Sequence, residues 1–363
     1  MKTIRILFHI IFVISLMTGC LLEDPMKQPY TGFDPADIGD GWVISTPSAE
    51  QIDSLALDRI YKDVYADDDT WMTKSLLVFR HRKLIAESYL KTDEDRTRID
   101  AIWSCTKQVN SIITGIAIDQ GYIGSVTDPV SDYLPEYIEK YPDKASLTLE
   151  NLLMMGSGVA FDNSTQSDVF RKHQTDNSID YVLGLDLMFE PGTGYNYNDG
   201  DPQVVSGIVQ AATGKTLDEY GKEVLFDPLG ITNYEWVRYS DGITMGGFGI
   251  LTCPRELAKI GQCVLDSGKY NGQQIIPPGY WEEMLSVKVP DAGGDRSFGY
   301  FWWSVPSKGY WFMWGHGGQY AFLIPSKRLM IVMTSLTQVD DDVNVSIEQI
   351  FEEIVDPIVA TAE

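Results

Sequence analysis

Ser104 and Lys107 stand three residues apart in the run Ser104-Cys105-Thr106-Lys107. On a helix this S-x-x-K spacing places both side chains on one face, one turn apart. An amine that takes the proton of a serine hydroxyl turns a weak nucleophile into a strong one. In the first turn of a helix the positive end of the dipole also favours a developing oxyanion and an uncharged amine. The pattern therefore predicts acyl transfer through Ser104.

The spacing by itself is a weak signal, because Ser88 and Lys91 form a second S-x-x-K match. That match lies in an alternating stretch that predicts a strand, where residues three apart point to opposite faces. Ser104 instead opens a predicted helix over 103–120 with an apolar stripe that would bury it firmly. The alternative for Ser104 is a serine that only caps this helix. The rest of the chain has to decide between the two interpretations.

Two further boxes follow in the order known for serine β-lactamases and penicillin-binding proteins, which join S-x-x-K to S-D-N and K-T-G. The counterparts here are Tyr197-Asn198-Asp199 and the run of His316, Gly317 and Gly318. With these boxes the chain resembles the β-lactamase-related serine hydrolases, which include class C β-lactamases, D-Ala-D-Ala carboxypeptidases and esterases. The Y-x-D-G-D form of the second box is most similar to the 6-aminohexanoate-dimer-hydrolase-like and esterase branch.

The resemblance covers residues 48–363 and implies an α/β (α+β) fold of the β-lactamase/transpeptidase type. In this fold a central antiparallel sheet is flanked by helices, and a mostly helical lobe, here at about 110–230, is inserted between sheet segments. The residue patterns agree, since 75–79 and 84–89 predict a hairpin and the aromatic runs after Phe298 predict successive antiparallel strands. Early and late strands are expected to share one sheet. Four tryptophans in the late runs are expected mainly as sheet core, with one or two left to line a cleft: Trp302, Trp303, Trp311 and Trp314.

The resemblance also implies roles for single residues. Ser104 is the nucleophile, and Lys107 and Tyr197 share the work of general base and general acid. Tyr197 suits this role if nearby cations hold its pKa below the usual value of about 10. The main-chain N–H groups of Ser104 and Gln319 would form the oxyanion hole. Water then hydrolyses the acyl-Ser104 intermediate.

Substrate binding is implied for Asp199, His316, Gly317 and Gly318. Asp199 replaces the asparagine of β-lactamases, and a carboxylate cannot donate to a substrate carbonyl as an amide does. His316 replaces a lysine with a weaker, pH-dependent cation. Both replacements favour an esterase or amidase over an efficient β-lactamase. A D-Ala-D-Ala carboxypeptidase, a β-lactamase and a catalytically idle penicillin-binding sensor lipoprotein stay open as alternatives.

The N-terminus predicts export. Residues 1–19 have a basic start and an apolar run over 6–17, which is shorter than the roughly 20 residues of a membrane span. The sequence Met-Thr-Gly-Cys that ends at Cys20 resembles a bacterial lipobox, which implies cleavage before Cys20 and lipid attachment to its thiol. Proline-rich residues 20–47 are expected to be a lipidated tether. We expect a membrane-anchored lipoprotein, periplasmic or at the cell surface.

Composition limits the partners. The chain has 28 Lys+Arg against 52 Asp+Glu and a formal net charge of −24, which argues against a nucleic-acid partner. If the cleft shares this sign, anionic substrates are disfavoured. No cofactor or metal is expected, because no H-E-x-x-H motif occurs. The expected partner is a small molecule or peptide with an amide or ester bond, and the membrane is contacted through the lipid only. Cys253 and Cys263 could pair or stay as free thiols.

Overall fold

The structure is a computed structural model that describes residues 26–70, 72–172, 174–337 and 346–363. The predicted signal at 1–19 and the lipidation residue Cys20 lie outside the described residues. The described strands are β1 (Val43–Ile44), β2 (Thr73–Arg80), β3 (Lys83–Tyr89), β4 (Asp100–Ala101), β5 (Tyr234–Trp236), β6 (Ile250–Thr252), β7 (Lys269–Tyr270), β8 (Gln273–Gln274), β9 (Ser297–Phe298), β10 (Trp303–Val305), β11 (Tyr310–Gly315), β12 (Gln319–Ile324) and β13 (Leu329–Ser335). The described α-helices are α1 (Ser54–Ala66), α2 (Cys105–Asp119), α3 (Pro135–Lys140), α4 (Leu149–Leu153), α5 (Gln166–Arg171), α6 (Ser178–Leu183), α7 (Gly200–Thr213), α8 (Leu217–Gly221), α9 (Asp227–Leu229), α10 (Pro254–Leu265), α11 (Pro278–Leu285), α12 (Ile347–Ile350) and α13 (Asp356–Ala360).

Within the described residues, eight strands form one sheet in the order β1-β3-β2-β13-β12-β11-β10-β9. Neighbouring strands are antiparallel except for β1 and β3, which are parallel. The early hairpin of β2 and β3 lies against the last strand, with Leu77 opposite Val332. The prediction that early and late strands share one sheet is therefore confirmed.

Helices cover both faces of the central strands, because successive side chains of a strand point in opposite directions. Leu323 of β12 faces α10, where a Cβ added to Gly261 would stand 3.3 Å from it. Phe322, one residue earlier, points the other way, and its ring lies 5.3 Å from that of Phe351 in the C-terminal helical segment. Burial on both sides explains why these strands appear in the sequence as continuous apolar runs.

The residues between α2 and β5 form the helical lobe, which contains α3 to α9. Its longest helix, α7, packs on α2, α4 and α6. Asn110 of α2 connects this helix to the loop before β6, since its side-chain amide donates to the carbonyl oxygens of Pro202 at 2.9 Å and Gly246 at 3.3 Å. A Cβ on Gly246 would stand 2.0 Å from the Pro202 carbonyl oxygen. The loop can therefore cross α7 only with a glycine at this position.

Residues 26–47, predicted as a tether, lie along the sheet. The segment supplies β1, and Trp42 is buried with its indole N–H donating to the carbonyl oxygen of Arg255 at 3.1 Å. Arg255 itself is 1% exposed, and its guanidinium binds Glu87 at 2.9 and 2.7 Å and Asp40 at 2.9 Å. The folded domain thus begins before residue 48, because this segment completes the edge of the sheet.

The three described cysteines are free and buried: Cys105, Cys253 and Cys263. Cys253 and Cys263, whose pairing the sequence left open, therefore form no disulfide. Among the described residues, no helix combines the length and the apolar character needed to cross a bilayer.

Replacement of Arg255 by leucine should destabilise the fold strongly. The change leaves the carboxylates of Glu87 and Asp40 without their partner, and breaking a buried ion pair in this way costs about 3–5 kcal/mol. The free energy of unfolding, measured by urea denaturation, should fall by that amount. Arg238→Leu is the matched control, because Arg238 pairs with Asp218 at the surface and its loss should cost at most about 1 kcal/mol. Equal losses in the two variants would contradict a stabilising role for the buried cluster.

Candidate active site

The chain turns sharply just before Ser104. Trp103 has a φ of +48°, in the left-handed region, and Ser104 returns to φ −63° and ψ −8° ahead of α2. The turn is fixed from both sides, since the Ile102 N–H donates to the Ile250 carbonyl at 3.0 Å and the Ile250 N–H donates to Thr106 Oγ1 at 3.1 Å. A non-glycine residue keeps such a conformation only where its surroundings impose it. The small sheet of β4, β5 and β6 therefore positions Ser104.

Ser104 occupies the cap position of α2, but its side chain makes no capping hydrogen bond. Its Oγ lies 2.8 Å from Lys107 Nζ instead. The serine of the second S-x-x-K match is engaged elsewhere, because Ser88 Oγ lies 2.6 Å from the hydroxyl of Tyr65. The side chain of Ser104 therefore contacts Lys107 and does not cap the helix.

Lys107 is fully buried, and its Nζ lies near three acceptors. They are Ser104 Oγ at 2.8 Å, Asp199 Oδ1 at 2.5 Å and the Gly247 carbonyl oxygen at 3.0 Å. Burial lowers the pKa of Lys107, but the charges of Asp199 and Tyr197 and the hydrogen bonds to them together outweigh it, and the pKa is raised above its usual value. The resting amine is therefore charged, contrary to the expectation from the helix dipole, because a carboxylate at 2.5 Å acts more strongly than the helix end.

Asp199 is 9% exposed, and both of its carboxylate oxygens face protein donors. Oδ1 binds Lys107, and Oδ2 accepts from Ser167 Oγ at 2.5 Å. Its main-chain N–H donates to Asn163 Oδ1 at 2.9 Å. These contacts engage both carboxylate oxygens with Lys107 and α5, and the substrate-binding role of Asp199 stays a prediction.

Tyr197 packs beside the Ser104–Lys107 pair. Its ring lies 5.3 Å from that of Trp303, and Lys107 Nζ lies 5.0 Å from the ring centroid. Burial raises the pKa of Tyr197, although the charge of Lys107 and hydrogen bonds from Ser104 and Lys107 act against it. The condition that cations hold this pKa below its usual value is therefore not met. The phenol is protonated at neutral pH and suited to donate a proton.

His316, Gly317 and Gly318 form the turn between β11 and β12. The two glycines have φ values of +71° and +93°, and a Cβ on Gly318 would stand 2.8 Å from Ser335 Oγ. His316 lines the same cleft as Ser104, and its ring meets that of Trp103 edge-on at 5.9 Å. The glycines border a separate small cavity instead. Of the three residues in this turn, His316 lines the cleft and the two glycines do not.

Gln319 begins β12 next to the first turn of α2. Its carbonyl oxygen accepts from Cys105 Sγ at 3.4 Å. β12 can lie close to α2 because Gly315, the partner of Gln319 on β11, has no side chain. A Cβ on Gly315 would stand 2.2 Å from the Ile102 carbonyl oxygen. The main chains of Ser104 and Gln319 therefore run near each other, and their N–H groups stay the predicted oxyanion hole.

A cleft of about 470 Å³ opens over Ser104. One wall is aromatic, and the other is polar and comes from the helical lobe. The residues that line the cleft are Trp103, Ser104, Asn163, Ser164, Ser167, Arg171, Tyr195, Tyr197, Asp199, Phe248, Ala292, Trp303, Trp314 and His316. Its charged groups are balanced, since Asp199 is paired with Lys107 and Arg171 with Asp168. The net charge of the chain is thus not shared by the cleft, and the expectation that anionic substrates are disfavoured loses its basis.

Several lining residues were not predicted. Asn163, Ser167 and Arg171 lie in a stretch without a motif. Asn163 and Ser167 are identified by their contacts with Asp199, and Arg171 by its place in the cleft wall. Phe248 lies in the glycine-rich run Gly246-Gly247-Phe248-Gly249 just before β6, and this run was the available signal. Two of the four late tryptophans, Trp303 and Trp314, line the cleft as expected for one or two of them.

Comparison with known proteins identifies the family of this chain. A family model described as Beta-lactamase matches residues 74–352. The chain belongs to the β-lactamase family. It is 24% identical over 272 residues to a 6-aminohexanoate-dimer hydrolase from Paenarthrobacter ureafaciens, which covers 70% of this chain and 67% of the relative.

Solved structures of the β-lactamase family agree in fold. A provisionally assigned 6-aminohexanoate-dimer hydrolase from Bacillus anthracis has a TM-score of 0.70 at 20% identity and covers 82% of this chain and 81% of its own. A family VIII carboxylesterase has a TM-score of 0.67 at 16% identity and covers 88% of this chain and 98% of its own. The predicted family and the predicted β-lactamase/transpeptidase-like fold are confirmed. The protein is a hydrolase of this family.

Asp201 is a second buried carboxyl group, two residues beyond Asp199 and fully shielded from solvent. Burial raises its pKa from 3.8 to about 7, although hydrogen bonds from Ser157 and Asn198 act in the opposite direction. The folded protein therefore binds this proton more tightly than the unfolded chain does. Stability contributed by the protonated group is present at acidic pH and is lost as the pH rises from about 4 to about 7.

Asp201→Asn should remove this pH dependence. As the pH is raised from 4.5 to 8.5, the unfolding free energy of the variant should increase relative to that of the wild type by up to about 4 kcal/mol. Its melting temperature should rise relative to the wild type over the same range. Differential scanning fluorimetry across this range measures the gain. Asp186→Asn, which changes an exposed carboxylate of the same lobe, should give a difference that does not vary with pH. A pH-independent difference for Asp201→Asn as well would show that burial does not shift its pKa.

Proposed function

We propose that the protein is an exported serine hydrolase that cleaves an ester or amide through an acyl-Ser104 intermediate. The observation that carries this proposal is the 2.8 Å contact between Ser104 Oγ and the buried Lys107 Nζ at the base of the cleft. Membership of the β-lactamase family supports the reaction class.

In the acylation step, Ser104 Oγ attacks the carbonyl carbon of the substrate and its proton passes to Lys107. Because the resting Lys107 is charged, it must give up one of its own protons as it accepts that of Ser104. The oxyanion is held by the main-chain N–H groups of Ser104 and Gln319. Tyr197, a protonated phenol beside both groups, donates to the leaving group. Water then repeats the sequence on the acyl-enzyme.

The cleft favours an ester or amide with an uncharged apolar group next to the scissile bond. Its aromatic wall, formed by Trp103, Phe248, Trp303 and Trp314, offers stacking and apolar surface. Asp199 has both carboxylate oxygens engaged and offers no amide donor for a β-lactam carbonyl. The names of two relatives, a 6-aminohexanoate-dimer hydrolase and a family VIII carboxylesterase, support the same choice. We therefore favour an esterase or amidase over a β-lactamase.

Fluorophosphonate should add mass to Ser104, and Ser104→Ala should lose labelling together with at least about 1000-fold of the turnover of p-nitrophenyl esters. Intact-protein mass spectrometry and release of p-nitrophenol measure the two effects. Ser88→Ala is the matched control, because Ser88 belongs to the other S-x-x-K match and bonds to Tyr65. Full ester turnover in Ser104→Ala would overturn the assignment of the nucleophile.

A substrate panel should rank p-nitrophenyl esters and the linear 6-aminohexanoate dimer above nitrocefin. The reason is the lack of a free amide donor at Asp199 and the replacement of the family's lysine by His316. Values of kcat/KM for these substrates and for a D-Ala-D-Ala peptide test the ranking. A higher value for nitrocefin or for the peptide would favour a β-lactamase or a carboxypeptidase. Stable acylation by penicillin without turnover of any substrate would favour the idle sensor.

Export and lipid attachment at Cys20 are proposed from the sequence, since both concern residues outside the described part of the chain. The protein expressed in a bacterium with lipoprotein processing should incorporate a labelled fatty acid, and Cys20→Ala should not. Equal labelling of the two proteins would contradict attachment at this thiol.

A further inference from the structure

Lys107 is connected to the helical lobe through a continuous set of short contacts. Its Nζ lies 2.8 Å from Ser104 Oγ and 2.5 Å from Asp199 Oδ1. The other oxygen of the carboxylate, Oδ2, lies 2.5 Å from Ser167 Oγ on α5. Lys107 and Ser167 are both buried, at 0% and 5% exposure. The nucleophile is thus joined to a carboxylate through an amine, as a serine is joined to an aspartate through an imidazole in other hydrolases.

We propose that Asp199, held by Ser167, is a positioning residue that accepts a proton from Lys107 while Lys107 accepts the proton of Ser104. This inference rests on the proposed function, because it concerns how Ser104 is activated. It replaces the substrate-binding role expected for Asp199 with a role in proton transfer.

The protons balance in the first half of the reaction. The bond from Ser104 Oγ to the carbonyl carbon forms, and the carbonyl electron pair moves to oxygen. The hydroxyl proton moves to Lys107 Nζ, and one ammonium proton moves across the 2.5 Å contact to Asp199 Oδ1. Lys107 therefore stays an ammonium throughout and never has to exist as a free base. The oxyanion forms beside a charged amine, which stabilises it.

The protons also balance in the second half. The electron pair of the oxyanion re-forms the carbonyl group, the bond to the leaving group breaks, and the leaving group takes the proton of the Tyr197 hydroxyl. Lys107 returns a proton to the Tyr197 oxygen, and the Asp199 carboxyl returns its proton to Lys107. The site then has its starting charges with Ser104 acylated. Attack by water on the acyl-enzyme follows the same route, with the water proton in place of the serine proton.

Ser167 and Asn163 orient the carboxylate for this transfer. Ser167 Oγ donates to Oδ2, and Asn163 Oδ1 accepts from the main-chain N–H of Asp199 at 2.9 Å. Ser167 Oγ also lies 3.3 Å from Asn163 Oδ1, so the three groups are connected. This set fixes the rotamer of Asp199 so that Oδ1 faces Lys107. A carboxylate free to rotate would present Oδ1 to Lys107 for only part of the time.

An alternative is that Asp199 is only the counter-ion of a lysine that acts as a free amine. The two mechanisms predict opposite effects of removing the carboxylate on the pH profile of kcat/KM. A lysine that works as a free amine, with a pKa raised by Asp199, would give a rate that still rises above pH 10. Without Asp199 its pKa would fall, and the acidic limb of the profile would move to lower pH. We call the proposed transfer from Ser104 through Lys107 to Asp199 the proton relay. In the relay the wild type needs the charged pair of Lys107 and Asp199, and its kcat/KM reaches a plateau near neutral pH.

The experiment measures kcat/KM for a p-nitrophenyl ester from pH 5 to pH 10.5 in the wild type and in Asp199→Asn. We expect a neutral plateau in the wild type. The variant should lose roughly 100-fold at pH 7, and its acidic limb should move to higher pH by about one unit or more, because only uncharged Lys107 can then act. Peptide mass spectrometry confirms that the new amide, which precedes Gly200, has not deamidated. A limb that moves to lower pH, or a wild-type rate that rises through pH 10, would overturn the relay.

Ser167→Ala provides a second variant that keeps Asp199 in place. It should lose roughly 10-fold in kcat/KM with a changed acidic limb, because the carboxylate loses the hydrogen bond that keeps Oδ1 turned towards Lys107. Ser167→Thr should restore most of the rate. Thr165→Ala is the control, since this exposed hydroxyl of the same turn bonds only to its neighbours Asp162 and Gln166. An unchanged rate and limb in Ser167→Ala would contradict the role of α5.

Labelling of the wild type separates this inference from the proposed function. If fluorophosphonate fails to label Ser104, the proposed function itself is wrong. If Ser104 is labelled and turns over esters but the limb of Asp199→Asn moves to lower pH, only the relay is wrong.

Discussion

The buried ion pair between Lys107 and Asp199 is the constraint on which the site depends. An ammonium group without solvent contact is costly, and a carboxylate at 2.5 Å offsets that cost only if both groups are held in place. Lys107 is held by α2, which packs on the central sheet, and Asp199 by the start of α7 in the lobe. Sheet and lobe must therefore be correctly placed before the charge beside Ser104 is stable.

Close approach of main chains makes this placement possible. The loop that supplies the Gly247 carbonyl to Lys107 crosses α7 where Gly246 leaves no room for a side chain. The end of β11 lies against the segment before Ser104, and Gly315 leaves no room for a side chain at that contact. Between them, Trp103 is kept in a left-handed conformation by hydrogen bonds on both sides. The backbone positions from which the polar groups of the site extend are thus set by close backbone packing.

Local patterns predicted a large part of this arrangement. The S-x-x-K spacing on a helix brought Ser104 and Lys107 together, and strand patterns predicted the hairpin and the late antiparallel strands. What the sequence could not supply were properties that arise only from tertiary contacts. The charge state of Lys107 and the protonation of Tyr197 depend on burial and on the exact position of Asp199. The packing of residues 26–47 depends on a buried arginine more than 200 positions away in the chain.

Helix α5 contributes both to the cleft wall and to the hydrogen bonds of Asp199. Its residues Ser167 and Arg171 form part of the cleft wall, and Ser167 also bonds to the carboxylate behind Lys107. In the proposed mechanism, the wall that meets the substrate and the contact that sets the acid–base chemistry of Lys107 are therefore inherited together. Directed evolution that reshapes this wall to admit a bulkier molecule will change the turnover rate along with selectivity.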